Sequence, residues 1–337
     1  MVTSELKANL QTFIDDHLGH DFELHSVHES DGHGGLTFLF DVRQKGDHAI
    51  VGEYVLKVPP PGIARRGNTD VYRQAPLLRA LHAGGLPVPD VPWASENEHW
   101  FGVPFIVMER LPGRVFFIWD PHRSFARTKA VAEPLWRQCA ELLPRFHTFD
   151  WRTRLAGWEA PEPLVDQVRR WSKIYRHSPE PRWITLAEEV ERLLLDKLPT
   201  DAPEGLFHGD YQPGNCLYHE GRLTGVIDWE ISGLGAQLLD IGWLMMAADP
   251  ENGVEPWHAI HPLPTAELRE IYERGMGRSF PAIPWFQALA GYRLASIGCL
   301  NVKLHRKGQR VDPMWEQMGL VIAPLFERAR AILMGSP

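Results

Sequence analysis

The chain has 337 residues, 35 lysines and arginines against 43 aspartates and glutamates, a formal net charge of −8, and hydrophobic and charged fractions of 44% and 23%. These are the proportions of a folded globular chain, long enough for about two domains of ~150 residues and able to bury a core without covalent staples. They speak against a nucleic-acid binder, which needs basic surface to displace counterions from phosphates, and the three cysteines (Cys139, Cys216, Cys299) make neither a disulfide framework nor a zinc pattern, which fits a reducing cytoplasm.

Residues 1–9 carry Glu5 early and have no apolar run, so no secretory signal is expected. Ser4 ahead of Leu6, Leu10, Phe13, Ile14 and Leu18 predicts a capped amphipathic helix. The period then changes to two. Residues 21–30 (DFELHSVHES), 36–43 (LTFLFDVR) and 50–58 (IVGEYVLKV) read as three strands, separated by the glycine-rich turn 31–35 and the turn 44–47. Pro59, Pro60 and Pro61 stop the sheet, because proline has no N–H for the ladder. A helix is predicted over 71–83, ended by Gly84-Gly85, with Pro76 implying a kink or a late start. Residues 91–94 and 104–109 add two short strands, which makes a five-stranded antiparallel sheet with one helix. Leu111-Pro112-Gly113 is a natural joint.

Beyond the joint the pattern is helical: 131–147, 164–175, 186–195, 287–307 and 315–333, with a β-rich island at 206–230. The most apolar stretch, 238–248, is interrupted by Asp240 and falls far short of the ~20 residues a membrane span needs. The expected class is therefore α+β. A small antiparallel-sheet N-terminal lobe, expected to be the nucleotide-binding one, covers 1–108, a hinge 109–113, and a larger helical lobe 114–337.

The chemistry concentrates in the β-rich island, LFHGDYQPGNCLYHEGRLTGVIDWE. His208-Gly209-Asp210 is followed five positions later by Asn215, and a hairpin over 216–218 and 223–227 leads to Asp228. Folding that hairpin back is expected to bring Asn215 and Asp228 together, an amide oxygen and a carboxylate being hard ligands suited to Mg²⁺. Asp210 can then orient a hydroxyl and take its proton, and His208 reads as a donor that orients the loop. This division of labour is the one phosphoryl transfer needs. Glu230, two residues past Asp228, is expected on the same strand face. Upstream, Gly32, Gly34 and Gly35 can cover phosphates with backbone N–H groups. Lys57, late on an apolar strand, asks for an anion such as a nucleotide phosphate. The backbone of 108–111 can meet an adenine edge.

In these stretches (YVLKVPPPG, LLRALHAGGLPVPDV, PFIVMERLPGRVF, HGDYQPGN and VIDWE) the chain resembles the aminoglycoside phosphotransferase and choline kinase family, over about residues 20–330. Within it, it is most similar to the branch that includes the kinase portion of acyl-CoA dehydrogenase fusion proteins. The resemblance implies a two-lobed protein-kinase-like fold, ATP and Mg²⁺ as co-substrate and cofactor, and a small-molecule hydroxyl as acceptor. It also implies Asp210 as catalytic base, Asn215 and Asp228 on Mg²⁺, Lys57 on the α- and β-phosphates, Glu109 to Leu111 as hinge, and Asp240 steadying the catalytic loop. There are departures. Gln74 stands where the family usually places the glutamate that pairs the lysine, Gly209 stands where protein kinases carry arginine, and Gln212 where they carry lysine. No APE-like segment follows Asp228, which points away from a protein acceptor.

Three readings remain open: a kinase for a small metabolite such as a hydroxyacyl-CoA, an antibiotic phosphotransferase, and a nucleotide-binding module without turnover. Residues 263–337 hold ten basic against six acidic side chains, the wrong sign for a polycationic antibiotic. Lys303, Arg306, Lys307 and Arg310 cluster at one helix end, either complementing its dipole or docking an anionic acceptor. Neither a membrane nor an obligate protein partner is indicated.

Overall fold

The computed structural model describes residues 2–30, 36–47, 49–59, 67–254 and 257–335. The chain divides into two compact units. The first is Met1–Pro112 with Arg152–Trp158 and Thr224–Ile231; the second is Gly113–Trp151, Glu159–Leu223 and Ser232–Pro337. Two short segments that sequence pattern alone placed in the helical lobe therefore belong to the first unit.

The first unit opens with α1 (Ser4–His17). Its cap is Thr3, one residue earlier than the sequence suggested, whose Oγ1 accepts the Leu6 N–H at 3.1 Å. There follow β1 (Phe22–Glu29), β2 (Leu36–Gln44), β3 (Ile50–Val58), α2 (Gln74–Ala83), β4 (Trp93–Ser95) and β5 (Phe105–Glu109). The strands make an antiparallel sheet in the order β1-β2-β3-β5-β4. Helix α2 starts at Gln74, which puts Pro76 in the first turn, where its missing N–H has no partner to lose. The alternating residues Phe38, Phe40 and Val42 of β2 face Leu10, Phe13 and Ile14 of α1, and Leu56 and Val58 of β3 join the same core. Burying each such side chain stabilises by roughly 1.5–3 kcal/mol. The two-residue strand period then sends Lys57, between Leu56 and Val58, to the opposite face of the sheet.

The second unit contains β6 (Arg114–Val115), α3 (Lys129–His147), α4 (Trp151–Arg154, whose last three residues belong to the first unit), α5 (Leu164–Arg169), α6 (Ser172–Tyr175), α7 (Pro181–Asp196), β7 (Glu204–Phe207) and β8 (Cys216–His219). After β9 (Arg222–Val226), along which the chain passes into the first unit, come β10 (Gly233–Ala236), α8 (Leu238–Ala248), α9 (Thr265–Met276), α10 (Ile283–Arg306) and α11 (Met314–Leu333). The helix expected over 164–175 is two short helices, broken at Arg170 and Trp171. Strands β7 and β10 pair antiparallel, Phe207 opposite Gly233, and so fix where the His208–Asp210 loop begins. Among the described residues no helix is long and apolar enough to cross a membrane. Cys139 and Cys216 are distant in sequence, yet their sulfurs lie 3.7 Å apart as free, buried thiols.

Helices α8 and α10 meet at Gly242, where a Cβ would lie 2.4 Å from the carbonyl carbon of Phe286 and 2.5 Å from its oxygen. Both opposing atoms are backbone, so no side-chain rotation relieves the clash. Gly242→Ala is expected to lower stability by about 1–3 kcal/mol through overpacking, read as a drop in the urea midpoint with an unchanged m-value.

Candidate active site

Each unit carries its own cluster of chemistry-bearing side chains. In the first, the Lys57 ammonium donates to Glu230 Oε2 at 3.1 Å and to Asp228 Oδ1 at 3.4 Å. Lys57 is buried. Burial alone pushes its pKa down; the two carboxylates outweigh that and set it above the usual lysine value. The ammonium therefore stays charged throughout the physiological range.

Asp228 sits at φ 66°, a left-handed conformation that costs a non-glycine residue on the order of 1–3 kcal/mol and is held only where its surroundings over-determine it. Strand β9 ends at Val226, and Trp229–Ile231 is a 3-10 turn. The expectation that a continuing strand places Asp228 and Glu230 on one face is thus corrected: a turn, not the strand period, gathers both carboxylates around Lys57. That turn is pinned from outside. Arg73 donates to the Glu230 carbonyl at 3.0 Å and lies over the Trp158 ring at 5.2 Å, while Trp158 Nε1 donates to the Arg73 carbonyl at 2.8 Å.

Gln74 is buried at the start of α2, and its Nε2 has no hydrogen-bond partner. Of the ways to order Lys57 once the helix glutamate is missing, the structure shows another acid, Glu230. At the proposed hinge, the Glu109 N–H donates to the Asp90 carbonyl at 2.9 Å and the Arg110 N–H to the Glu53 carbonyl at 3.0 Å. Among the described residues the Leu111 N–H makes no backbone hydrogen bond. Gly32, Gly34 and Gly35 lie outside the described residues.

In the second unit the loop after β7 rests on Asp240, which is 1% exposed in the first turn of α8. Its Oδ2 accepts the His208 N–H at 2.7 Å and its Oδ1 the Gly209 N–H at 2.8 Å. His147 Nε2 lies 3.3 Å from Oδ2, and His147 Nδ1 lies 2.8 Å from the Tyr272 hydroxyl. The carboxylate can only accept, so the proton belongs on Nε2 and Nδ1 accepts from Tyr272. Burial holds that phenol far above its usual pKa, so it remains a donor. Gly209 has φ 91°, a left-handed conformation glycine adopts without a Cβ penalty, and it turns the chain from the anchored N–H groups toward Asp210.

Asp210 follows. Gln212 Nε2 donates to its Oδ1 at 2.7 Å; Asn215 Nδ2 donates to its Oδ2 at 2.9 Å and to its backbone carbonyl at 2.8 Å. Neutral donors thus fix the carboxylate without neutralising its charge. His208 Nδ1 accepts the Asp210 N–H at 3.3 Å. With its NH₂ turned to Asp210, Asn215 leaves its amide oxygen for a cation. Asn215 belongs to the second unit and Asp228 to the first.

No group of three or more His, Cys, Asp or Glu among the described residues forms a metal cluster. Taken singly, the Asn215 amide oxygen and the partly exposed Asp228 carboxylate are hard donors of the kind Mg²⁺ accepts beside water and phosphate oxygens. Sequence pattern missed His147, at the end of a helix whose periodicity marks it only as core. It also missed Glu230 as the partner of Lys57. Of the basic cluster at the end of α10, Arg306 is bound to Glu316 at 2.6 Å and to Glu180 at 2.6 Å, and Arg310 lies over Trp315 at 5.5 Å.

A two-unit α+β chain with this loop, this lysine and this pair of acids is kinase-like. The model of the phosphotransferase enzyme family matches residues 31–286, and the chain belongs to that family. It is 29% identical over 294 residues to the probable acyl-CoA dehydrogenase IBR3 of Arabidopsis thaliana, covering 79% of this chain and 35% of that protein. It thus spans about a third of the length of the acyl-CoA dehydrogenases it matches. The same fold occurs in a Ralstonia eutropha protein ascribed to the aminoglycoside phosphotransferases, with a TM-score of 0.77 at 22% identity, covering 97% of this chain and 98% of that one. A thermostable aminoglycoside phosphotransferase mutant in ternary complex with ADP and hygromycin B has a TM-score of 0.61 at 16% identity, covering 98% and 99%.

Glu230→Ala is expected to destabilise by about 2 kcal/mol, less than the ~3–5 kcal/mol of breaking a fully buried pair, because Asp228 stays near the ammonium. Gln74→Leu, which removes an unpartnered amide, is expected to leave stability unchanged or raise it by under about 1 kcal/mol. Chemical denaturation of both variants checks the pair; a larger loss in Gln74→Leu would return the lysine-ordering role to Gln74.

Proposed function

We propose that the protein is an ATP- and Mg²⁺-dependent kinase that phosphorylates the hydroxyl of a small molecule, a hydroxyacyl-CoA or related metabolite, in the cytoplasm. The observation that carries this reading is the Asp210 carboxylate, fixed by Gln212 and Asn215 on a loop that Asp240 anchors from below. Family membership supports phosphotransfer in general. The acceptor class rests on the likeness to acyl-CoA dehydrogenases, of which this chain spans only a part.

In this reading Asp210 accepts a hydrogen bond from the acceptor hydroxyl, aligns its oxygen for attack and receives its proton. Transfer forms one O–P bond to that oxygen, breaks the bond to the leaving nucleoside diphosphate and leaves the proton on Asp210. Lys57, kept charged by Glu230 and Asp228, offers N–H groups to phosphate oxygens. Gly34, Gly35 and the backbone of Glu109 and Leu111 complete the proposed nucleotide contacts. Asn215 and Asp228 would hold Mg²⁺, which when bound supplies neutralisation of the phosphate charge. A nucleotide-binding module without turnover would have no physical need for Asp210, Asn215 and Asp228 together, so catalysis is the better reading.

A screen of hydroxylated metabolites and acyl-CoAs with γ-labelled ATP tests the proposal directly. Asp210→Ala is expected to reduce transfer by roughly 10²-fold or more with ATP affinity little changed; undiminished turnover would remove Asp210 from the mechanism. Asp228→Ala is expected to abolish the Mg²⁺-dependent increment of ATP binding in a calorimetric titration.

A further inference from the structure

Helix α10 is apolar along ALAGYRLASIG except for one charge, Arg293. That side chain is 6% exposed, and its guanidinium carbon lies 5.3 Å from the centre of the Trp171 ring and 5.4 Å from that of Trp243. Its Nε is buried without a hydrogen-bond partner. Gln167, 4% exposed on α5, leaves both amide atoms unpartnered as well. A cluster of buried polar atoms with no partner is expensive to keep unless something else satisfies it.

Gln167 and Arg293 line one cavity, together with Arg170, Trp171 and Phe207. It offers about 10 Å³, room for one oxygen-sized group, and it opens to solvent. Glycine at 235 is part of the construction: a Cβ there would lie 2.7 Å from Gln167 Nε2. Phe207 and Leu239, which also lines the cavity, immediately precede His208 and Asp240. Burial, and secondarily Arg170, lower the Arg293 pKa to about 10, while Asp210, Asp240 and Glu162 oppose the shift. Arg293 is therefore cationic at neutral pH and within electrostatic reach of Asp210. The other acids facing it are engaged: Glu162 by Arg170 at 2.7 Å, Asp240 by the loop N–H groups.

We propose that Arg293 and Gln167 form a specificity subsite that takes one carboxylate oxygen of the acceptor while the acceptor's hydroxyl lies at Asp210. This deepens the kinase reading, rests on it for the hydroxyl, and narrows the acceptor to a free hydroxy acid related to a hydroxyacyl-CoA, since a thioester has no carboxylate to offer. The acceptor it selects is a short hydroxylated carboxylate rather than a neutral alcohol or a polyamine, which the two arginines repel. A carboxylate oxygen satisfies Arg293 Nε and the Gln167 NH₂, and the acceptor's stem stays on the solvent-open side of the cavity. The basic cluster at the end of α10 is not required.

Two measurements on the full chain test this separately from turnover. Butyrate binding is read by quenching of tryptophan fluorescence, since Trp171 and Trp243 flank the guanidinium. The wild type is expected to bind butyrate and not butanol, Arg293→Met to bind it about 10- to 100-fold more weakly, and Gln167→Leu about 10-fold more weakly, as for loss of hydrogen bonds to a charged group. Gln167→Leu removes two unpartnered atoms and is expected to melt at the wild-type temperature or above, so its loss of binding cannot be ascribed to misfolding. In the transfer assay the hydroxybutyrate isomers are compared with the butanediols; Arg293→Met is expected to lower the acid-to-diol ratio of kcat/KM about 30-fold, mainly through KM. Absent or Arg293-independent butyrate binding, or equal use of acids and diols, means the cavity holds only a resident water and overturns the subsite. Arg293-dependent butyrate binding without phosphorylation of any acceptor would instead overturn the kinase reading and leave the carboxylate site standing.

Discussion

The buried carboxylate of Asp240 is the interaction on which the catalytic loop depends. A charge 1% exposed must be met by donors, and here they come from the loop backbone at His208 and Gly209 and from the ring of His147. Three groups from β7, α3 and α8 are thereby referred to one point. After these anchored N–H groups the chain turns left-handed at Gly209, and Asp210 leaves the turn with its carboxylate already framed by Gln212 and Asn215. A loop that would otherwise wander becomes a rigid extension of α8, one of the most deeply buried helices in its unit. The orientation that the proposed transfer needs from Asp210 is built before any ligand arrives.

The first unit applies the same rule with the sign reversed. Lys57 leaves an apolar strand on the face away from the core and meets Glu230 and Asp228. The pair does more than satisfy a cation. It gives the strained Asp228 a reason to stay in a left-handed conformation, and Arg73 and Trp158 hold the following turn in place. Charges in both units are thus satisfied at short range. Against that pattern the Nε of Arg293, a buried cation beside an unpartnered glutamine, stands out, and the exception lies next to the loop that carries Asp210.

Much of this was legible in the residues. Period-two alternation located the three long strands to within a residue or two, because β2 and β3 each have one buried face. Pro76 announced the late start of α2 through its missing N–H. HGD with Asn215 and Asp228 singled out the segment the family model also covers, because acids and amides at such spacing have few structural uses. What sequence pattern could not give were features decided by tertiary partners. The island's second strand looks continuous through Asp228, since VIDWE has good strand propensity; only the contacts of Lys57 and Arg73 bend it into a turn. His147 closes an amphipathic helix, and nothing local says that its ring meets an aspartate 93 residues away.

The Gln74 departure shows how such tertiary decisions matter for function. In a fold where a helix glutamate orders the lysine, a neutral amide at that helix position reads as a damaged site. Here the ammonium takes its carboxylates from the turn after β9 instead, so the charge balance around Lys57 survives the loss of an acid on α2. What the substitution removes is the link between α2 and the lysine, not the lysine's charge. At position 74 helix α2 offers the lysine no charge, and the Nε2 of Gln74 is left buried without a partner. A motif position can therefore fail while the physical requirement behind it is met from another segment, and the requirement, a charged and oriented ammonium, is what bears on phosphate chemistry.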